Sequence, residues 1–121
     1  MIPEDWFPHR RSDGEVVGYI EAVGEEFQPY DLLGRRVGDS CDWLSAEERL
    51  DRLDLAWMGE PQRLILQGRA GERRVRILEV TRERLILVDD EFGAAMAAPP
   101  AGRALARWEF DLPLEVTMRP L

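Results

Sequence analysis

Apolar and polar positions along the chain mostly alternate in short runs, and turn residues break those runs at close intervals. Residues 6–11, 15–22 and 26–31 carry the two-residue period of strands with one covered face. Ser12-Asp13-Gly14 separates the first two, because Asp-Gly tolerates the positive φ that a tight hairpin turn requires. Gly24-Glu25 marks the next turn. In Asp31-Leu32-Leu33-Gly34-Arg35, the aspartate opens a type I turn and Gly34 takes the left-handed conformation behind it. That pattern predicts a three-residue hairpin with a bulge. Residues 6–38 therefore predict a four-strand meander.

The period changes near Ser45. Ser45 and Glu48 match a capping box, in which the hydroxyl accepts a backbone N–H and the glutamate reaches back. Ala46, Leu50 and Leu53 follow at helical spacing, and Trp57 would continue the stripe. Glu47, Arg49, Asp51 and Arg52 cover the opposite side, with Glu48 and Arg52 an i,i+4 pair in the favourable order. The spacing predicts one helix over residues 45–54. Leu55-Ala56-Trp57-Met58 fits either a continued helix or an extended segment before Gly59-Glu60-Pro61.

Strand periods return at residues 63–67, 73–81 and 84–89, separated by Gly68-Arg69-Ala70-Gly71 and by Arg82-Glu83. Leu85-Ile86-Leu87-Val88 does not alternate, which predicts a strand covered on both faces. Residues 93–102, rich in Ala, Gly and Pro, predict a loop. In 104–112, Ala106, Trp108, Phe110 and Leu112 share one face and point to the core; Leu105, Arg107, Glu109 and Asp111 share the other. Pro113 ends or bends that strand. Residues 62–112 thus predict a second meander. A shift of 58 residues pairs Val17 with Val75, Glu21 with Glu79, Glu25 with Glu83 and Asp31 with Asp89, as two amphipathic hairpins would. The expected fold is α+β and mostly antiparallel, one domain over residues 1–121. Its two small meanders form a barrel or two sheets around one central helix.

Composition narrows the class. A chain of 121 residues buries roughly two thirds of its unfolded surface, enough to fold without a disulfide or metal. All 16 basic side chains are Arg, and Lys and Asn are absent. That bias follows GC-rich codons, so abundant Arg is no evidence of phosphate binding. The net charge of −8 would repel the phosphates of nucleic acid, and no nucleic-acid partner is expected. No apolar run approaches the roughly 18 residues of a membrane helix, so no membrane partner is expected either. Met1-Ile2-Pro3-Glu4-Asp5 lacks an apolar leader core, and the single Cys41 fits a reducing compartment. A cytoplasmic location is expected.

Candidate chemistry is sparse. His9 and Cys41 could act as a dyad only if the fold joins them, and one Cys with one His does not complete a zinc shell. No G-x-S-x-G elbow surrounds Ser12, Ser40 or Ser45. Asp89-Asp90-Glu91, Asp39 and Asp42 offer oxygen ligands, but without calcium-loop spacing they read as solvated surface. Arg10-Arg11, Arg35-Arg36 and Arg73-Arg74 flank turns, where charge protects sheet edges. No catalytic residue, metal ligand or cofactor is assigned. The aromatics are better stocked. Trp6 and Phe7 are adjacent, so in a strand they point to opposite faces. Beside them, Pro8 lacks a donor and favours an edge, as Pro29 does beside Tyr30. Trp6, Phe7 and Tyr30 are therefore the candidate binding residues.

Arg11-Ser12-Asp13-Gly14-Glu15, Gly18-Tyr19-Ile20 and Asp31-Leu32-Leu33-Gly34-Arg35 together resemble small uncharacterised domains of GC-rich actinobacteria. The resemblance covers roughly the first sixty residues. It implies no activity and no functional residues. The Asp-Leu-Leu-Gly-Arg hairpin also looks like turns of PRC-barrel domains. Three functions are weighed. The favoured one is a non-enzymatic intracellular interaction module that contacts a protein partner or a second copy. The alternative is a small-ligand domain with a pocket lined by Trp43, Trp57 and Trp108, and the third is a carboxylate enzyme using His9.

Overall fold

The computed structural model describes residues 1–53, 55–66, 71–90 and 106–121. Two antiparallel sheets and one helix make up the fold. The first sheet has the order β1-β2-β3, from Phe7–Arg10, Val16–Val23 and Glu26–Asp31. The second contains β4 (Gln62–Ile65), β5 (Glu72–Val80), β6 (Arg84–Asp89), β7 (Arg107–Asp111) and β8 (Thr117–Pro120). Its order is β7-β6-β5-β4-β8. The fold is α+β and mostly antiparallel, with two sheets and no closed barrel.

The predicted turns form for the predicted reasons. Gly14 sits at φ 89°, and the Asp13 carboxylate accepts the Glu15 N–H at 3.0 Å. In the later turn, Asp31 Oδ1 accepts the N–H groups of Leu33 and Arg35, while its Oδ2 accepts from Arg35 Nε at 2.7 Å. Gly34 takes φ 78° there. One expected strand is missing, however. After this turn only a single bridge joins Tyr30 to Arg36, and another joins Phe27 to Cys41. The first meander therefore has three strands, not four: the chain beyond the turn stays beside β3 as far as Cys41, but pairs only at these two bridges, with Gly38 at φ 73° between them.

The helix is displaced from its predicted position. It runs as α1 over Trp43–Asp51, not 45–54, and its cap is Asp42. The Asp42 carboxylate accepts the Ser45 N–H at 2.8 Å and the Ser45 hydroxyl at 3.1 Å. A carboxylate three residues upstream thus takes the role assigned to Ser45. Leu55-Ala56-Trp57-Met58 is neither helix nor strand: a 3₁₀ turn occupies Ala56–Gly59.

Strand β6 is covered on both faces, with Leu85, Ile86 and Leu87 all buried. On β7, Trp108 and Phe110 are half-buried between exposed Arg107, Glu109 and Asp111, as the alternation predicts. The loop expected at 93–102 and the start of the last predicted strand lie outside the described residues. Strand β8 went unread, although Leu114-Glu115-Val116-Thr117-Met118-Arg119 alternates as a half-covered strand does. It pairs with β4 and buries Met118 opposite Leu64. The two central hairpins share a register: Glu21–Gln28 and Ala22–Phe27 recur 58 positions later as Glu79–Ile86 and Val80–Leu85. A bulge between Ile77 and Glu79 then shifts the pairing.

Packing stacks three layers. Tyr19, Tyr30 and Leu33 from the first sheet and its turn join Leu64, Val75, Leu85, Leu87 and Met118 of the second in one core. Val17 and Ile20 face the other way and pack on Ala46 and Leu50 of α1. The first sheet is thus sandwiched, which explains the nearly continuous burial of Val17-Gly18-Tyr19-Ile20. Gly18 allows the approach: a Cβ there would strike the Tyr30 carbonyl and reach Leu50.

Candidate functional site

The three candidate residues separate. Trp6 precedes β1 and is 7% exposed, stacked on Tyr30 with centroids 3.8 Å apart and planes 13° from parallel. Tyr30 is equally buried and donates its hydroxyl to Glu21 Oε1 at 2.7 Å. Burial, and then the neighbouring carboxylate, raise that phenol above its ordinary value. Both rings belong to the core. Phe7 points the other way and is 50% exposed.

The register explains where Phe7 goes. Phe7 pairs with Ile20 and His9 with Gly18, which puts both on the sheet face that carries α1. Trp43, Glu47 and Asp51, at i, i+4 and i+8, form the helix stripe facing β1. Trp43 meets Phe7 edge-to-face at 5.8 Å, and on its other side meets Phe27 edge-to-face at 5.2 Å. Beyond this aromatic row, Leu44 is 64% exposed in the first helical turn. The result is an apolar surface beside an edge strand whose Pro8 offers no donor.

Sequence reading missed Trp43, Leu44 and Phe27 in this surface. The available signal was Asp42-x-x-Ser45: with Asp42 as cap, Trp43 and Leu44 become first-turn residues and the stripe follows.

The remaining candidates are engaged in structure. His9 Nε2 lies 2.7 Å from Asp51 Oδ1, and Nδ1 lies 3.6 Å from Glu47 Oε2, so the ring ties β1 to α1. Ser40 donates to Glu26, Ser45 donates to Asp42, and Cys41 Sγ approaches the Phe27 carbonyl. None of these nucleophiles meets His9. Buried Asp90 accepts from Arg74 Nε at 3.0 Å and Arg76 Nε at 2.9 Å. Among the described residues, no three His, Cys, Asp or Glu side chains gather as a metal-holding group. Arg10 and Arg11 bind within their own turn, and Arg35 binds Asp31 in its turn and the Met118 carbonyl of β8. Trp43, Trp57 and Trp108 line no common pocket: Trp43 packs on Phe7 and Phe27, Trp57 lies under Arg35, and Trp108 sits on β7.

Charge is unevenly shared along the chain. Residues 1–54 hold fourteen acids and six arginines, while residues 55–121 hold ten of each. Asp42 and Glu47 flank Trp43 along α1, so the apolar surface has carboxylates at its rim. Among the described residues, no helix is long and apolar enough to cross a membrane. Comparisons with protein families, with curated proteins and with solved structures found no match for this chain.

Proposed function

We propose that this domain is a non-enzymatic protein-interaction module whose contact surface is Phe7, Trp43 and Leu44. The observation that carries it is the edge-to-face row Phe7–Trp43–Phe27, left open to solvent beside an edge strand. Aromatic residues anchor interfaces because they bury large rigid area at little entropic cost. Burial of the exposed half of Phe7 alone would contribute roughly 1 kcal/mol.

The acidic rim selects the occupant. A second copy would bring a second acidic surface against the first, and like charges across an interface oppose association. A polypeptide segment with apolar anchors flanked by Lys or Arg fits both the rings and the charge. The test uses a short amphipathic Leu–Lys peptide, a matched Leu–Glu peptide and a Ser–Lys peptide, titrated while Trp fluorescence is followed. The Leu–Lys peptide is expected to bind and to weaken with salt, and Phe7→Ser to reduce its affinity about tenfold. Equal binding of the Leu–Glu or Ser–Lys peptide would overturn this surface, as would an unaffected Phe7→Ser. A dimer seen by light scattering and abolished by Phe7→Ser would replace the basic partner with a second copy.

A further inference from the structure

A cleft of about 320 Å³ opens at the seam between the two sheets, away from the aromatic row. Its apolar wall draws on both sheets and the segments between them: Val16 and Tyr19 of β2, Leu32 of the turn after β3, Leu55, Met58, and Val80 of β5. Binding sites favour such junctions, because neither sheet covers the seam completely. The volume lies at the low end for ligand pockets, roughly 300–1,000 Å³, which limits an occupant to a short chain or a single ring.

Among the described residues, three charged side chains line the same cleft: Arg10, Arg82 and Glu15. The Arg82 guanidinium lies over the Tyr19 ring at 5.1 Å and donates through one nitrogen to the Pro3 carbonyl at 2.7 Å. Arg10 donates through Nη1 to the Gly14 carbonyl at 2.9 Å. Each guanidinium carries five N–H donors in a planar fork, so both are held in place with donors to spare. Two cations facing one carboxylate leave a single positive charge beside an apolar wall.

We infer that this cleft binds a small monocarboxylate with an aliphatic body, its head on Arg10 and Arg82 and its chain along Tyr19, Leu32 and Met58. A single anionic head balances the cleft. A second negative charge would meet Glu15, and a neutral head would leave the guanidinium donors to water. Charge-assisted hydrogen bonds are roughly twice as strong as neutral ones, so the head group decides affinity.

Octanoate is the probe and octan-1-ol its neutral counterpart, each titrated into the ¹⁵N-labelled chain. Octanoate is expected to shift the amide signals of Val16, Tyr19, Leu55 and Val80 saturably, with octan-1-ol about tenfold weaker. Arg82→Gln and Arg10→Gln are each expected to weaken octanoate to about the level of the alcohol. Arg10→Gln keeps the bonds of Arg82 to the Pro3 carbonyl and, at 3.4 Å, the Trp6 carbonyl, so it decides the matter if Arg82→Gln does not fold. Equal affinity for acid and alcohol would overturn the inference. So would shifts centred on Phe7 and Trp43, linear unsaturated shifts, or wild-type affinity in Arg10→Gln.

Discussion

Trp6 and Tyr30 lie face to face, their centroids 3.8 Å apart, and that stack closes the core beneath the first sheet. Adjacent Phe7 is left on the opposite face. Two neighbouring aromatic residues therefore hold different roles, one in packing and one at the surface.

The two roles separate by mutation. Trp6→Ser is expected to cost about 4 kcal/mol, because it leaves a large cavity against Tyr30 and buries a hydroxyl. Phe7→Ser, half exposed already, is expected to cost under about 1 kcal/mol. Urea denaturation of both variants checks this. Equal losses would mean that Phe7 is as much a core residue as Trp6.

Gly34 carries two constraints where Gly14 carries one. Both have positive φ, at 78° and 89°, but only Gly34 faces a wall: a Cβ there would lie 2.6 Å from Pro113 Cβ. Gly14→Ala meets open space and is expected to cost about 1 kcal/mol from backbone strain alone. Gly34→Val adds the collision and is expected to cost about 3 kcal/mol. Thermal melts of the pair would disprove the assignment if Gly14→Ala were the worse.

Much of this fold was legible because its signals are local. Asp13-Gly14 and Asp31-x-x-Gly34 specify their turns through hydrogen bonds within a few residues, and the non-alternating Leu85-Ile86-Leu87 reports burial on two faces directly. The errors arise where two local signals compete or where a distant partner decides. Ser45 and Asp42 both suit a cap, and the carboxylate wins because it reaches the Ser45 N–H and hydroxyl together. The alternation of Leu114-Glu115-Val116-Thr117-Met118-Arg119 signals strand β8, but its place beside β4, more than fifty residues earlier, is decided by a distant partner. Residues 35–38 do run beside β3, yet only Arg36 among them forms a bridge, with Tyr30. The candidate surface was half legible: adjacency sent Trp6 and Phe7 to opposite faces, but which ring faced solvent depended on Tyr30. Trp43 joins Phe7 through the position of α1, which the displaced cap obscured.

The cap assignment gives a pH-dependent prediction. The backbone N–H of Ser45, then its hydroxyl, hold the Asp42 carboxyl below its ordinary value of 3.8. A depressed folded value means that the charged form stabilises the native state. That contribution is present above pH 3.8 and is lost as pH falls through the lowered folded value. Asp42→Ala is expected to destabilise the chain more than Ser45→Ala at neutral pH. Asp42→Asn keeps an acceptor and is expected to behave as wild type there, while losing less stability in acid. Acid titration followed by circular dichroism checks the order. A larger loss in Ser45→Ala would restore the serine as cap.

Charge sets an expectation for nucleic acid. Residues 1–54 carry the entire net charge of −8, and the balanced second half pairs Arg74 and Arg76 with Asp90. No mobility shift with duplex or single-stranded DNA is expected near physiological salt. Micromolar binding that weakens steeply with added salt would contradict it.

Tyr30 supplies an alkaline counterpart to Asp42. Its hydroxyl donates to Glu21 from a buried position, and burial, the bond and the carboxylate charge all raise its pKa above 10.0, partly offset by Arg36. A raised folded value means that the native state holds the proton more tightly than the unfolded chain. The resulting stability is fully present below pH 10.0 and declines as pH rises through the raised value. Tyr30→Phe keeps the ring stacked on Trp6 but removes the bond. It is expected to cost about 1 kcal/mol at neutral pH and to flatten the alkaline limb of the stability profile. Glu21→Gln keeps an acceptor and removes the charge, so it should move the phenol back toward 10.0. Ultraviolet titration of tyrosinate in wild type, Tyr30→Phe and Glu21→Gln assigns the shift. If the transition lost in Tyr30→Phe lies at or below pH 10.0 in the folded wild type, the Tyr30–Glu21 bond does not stabilise the neutral phenol.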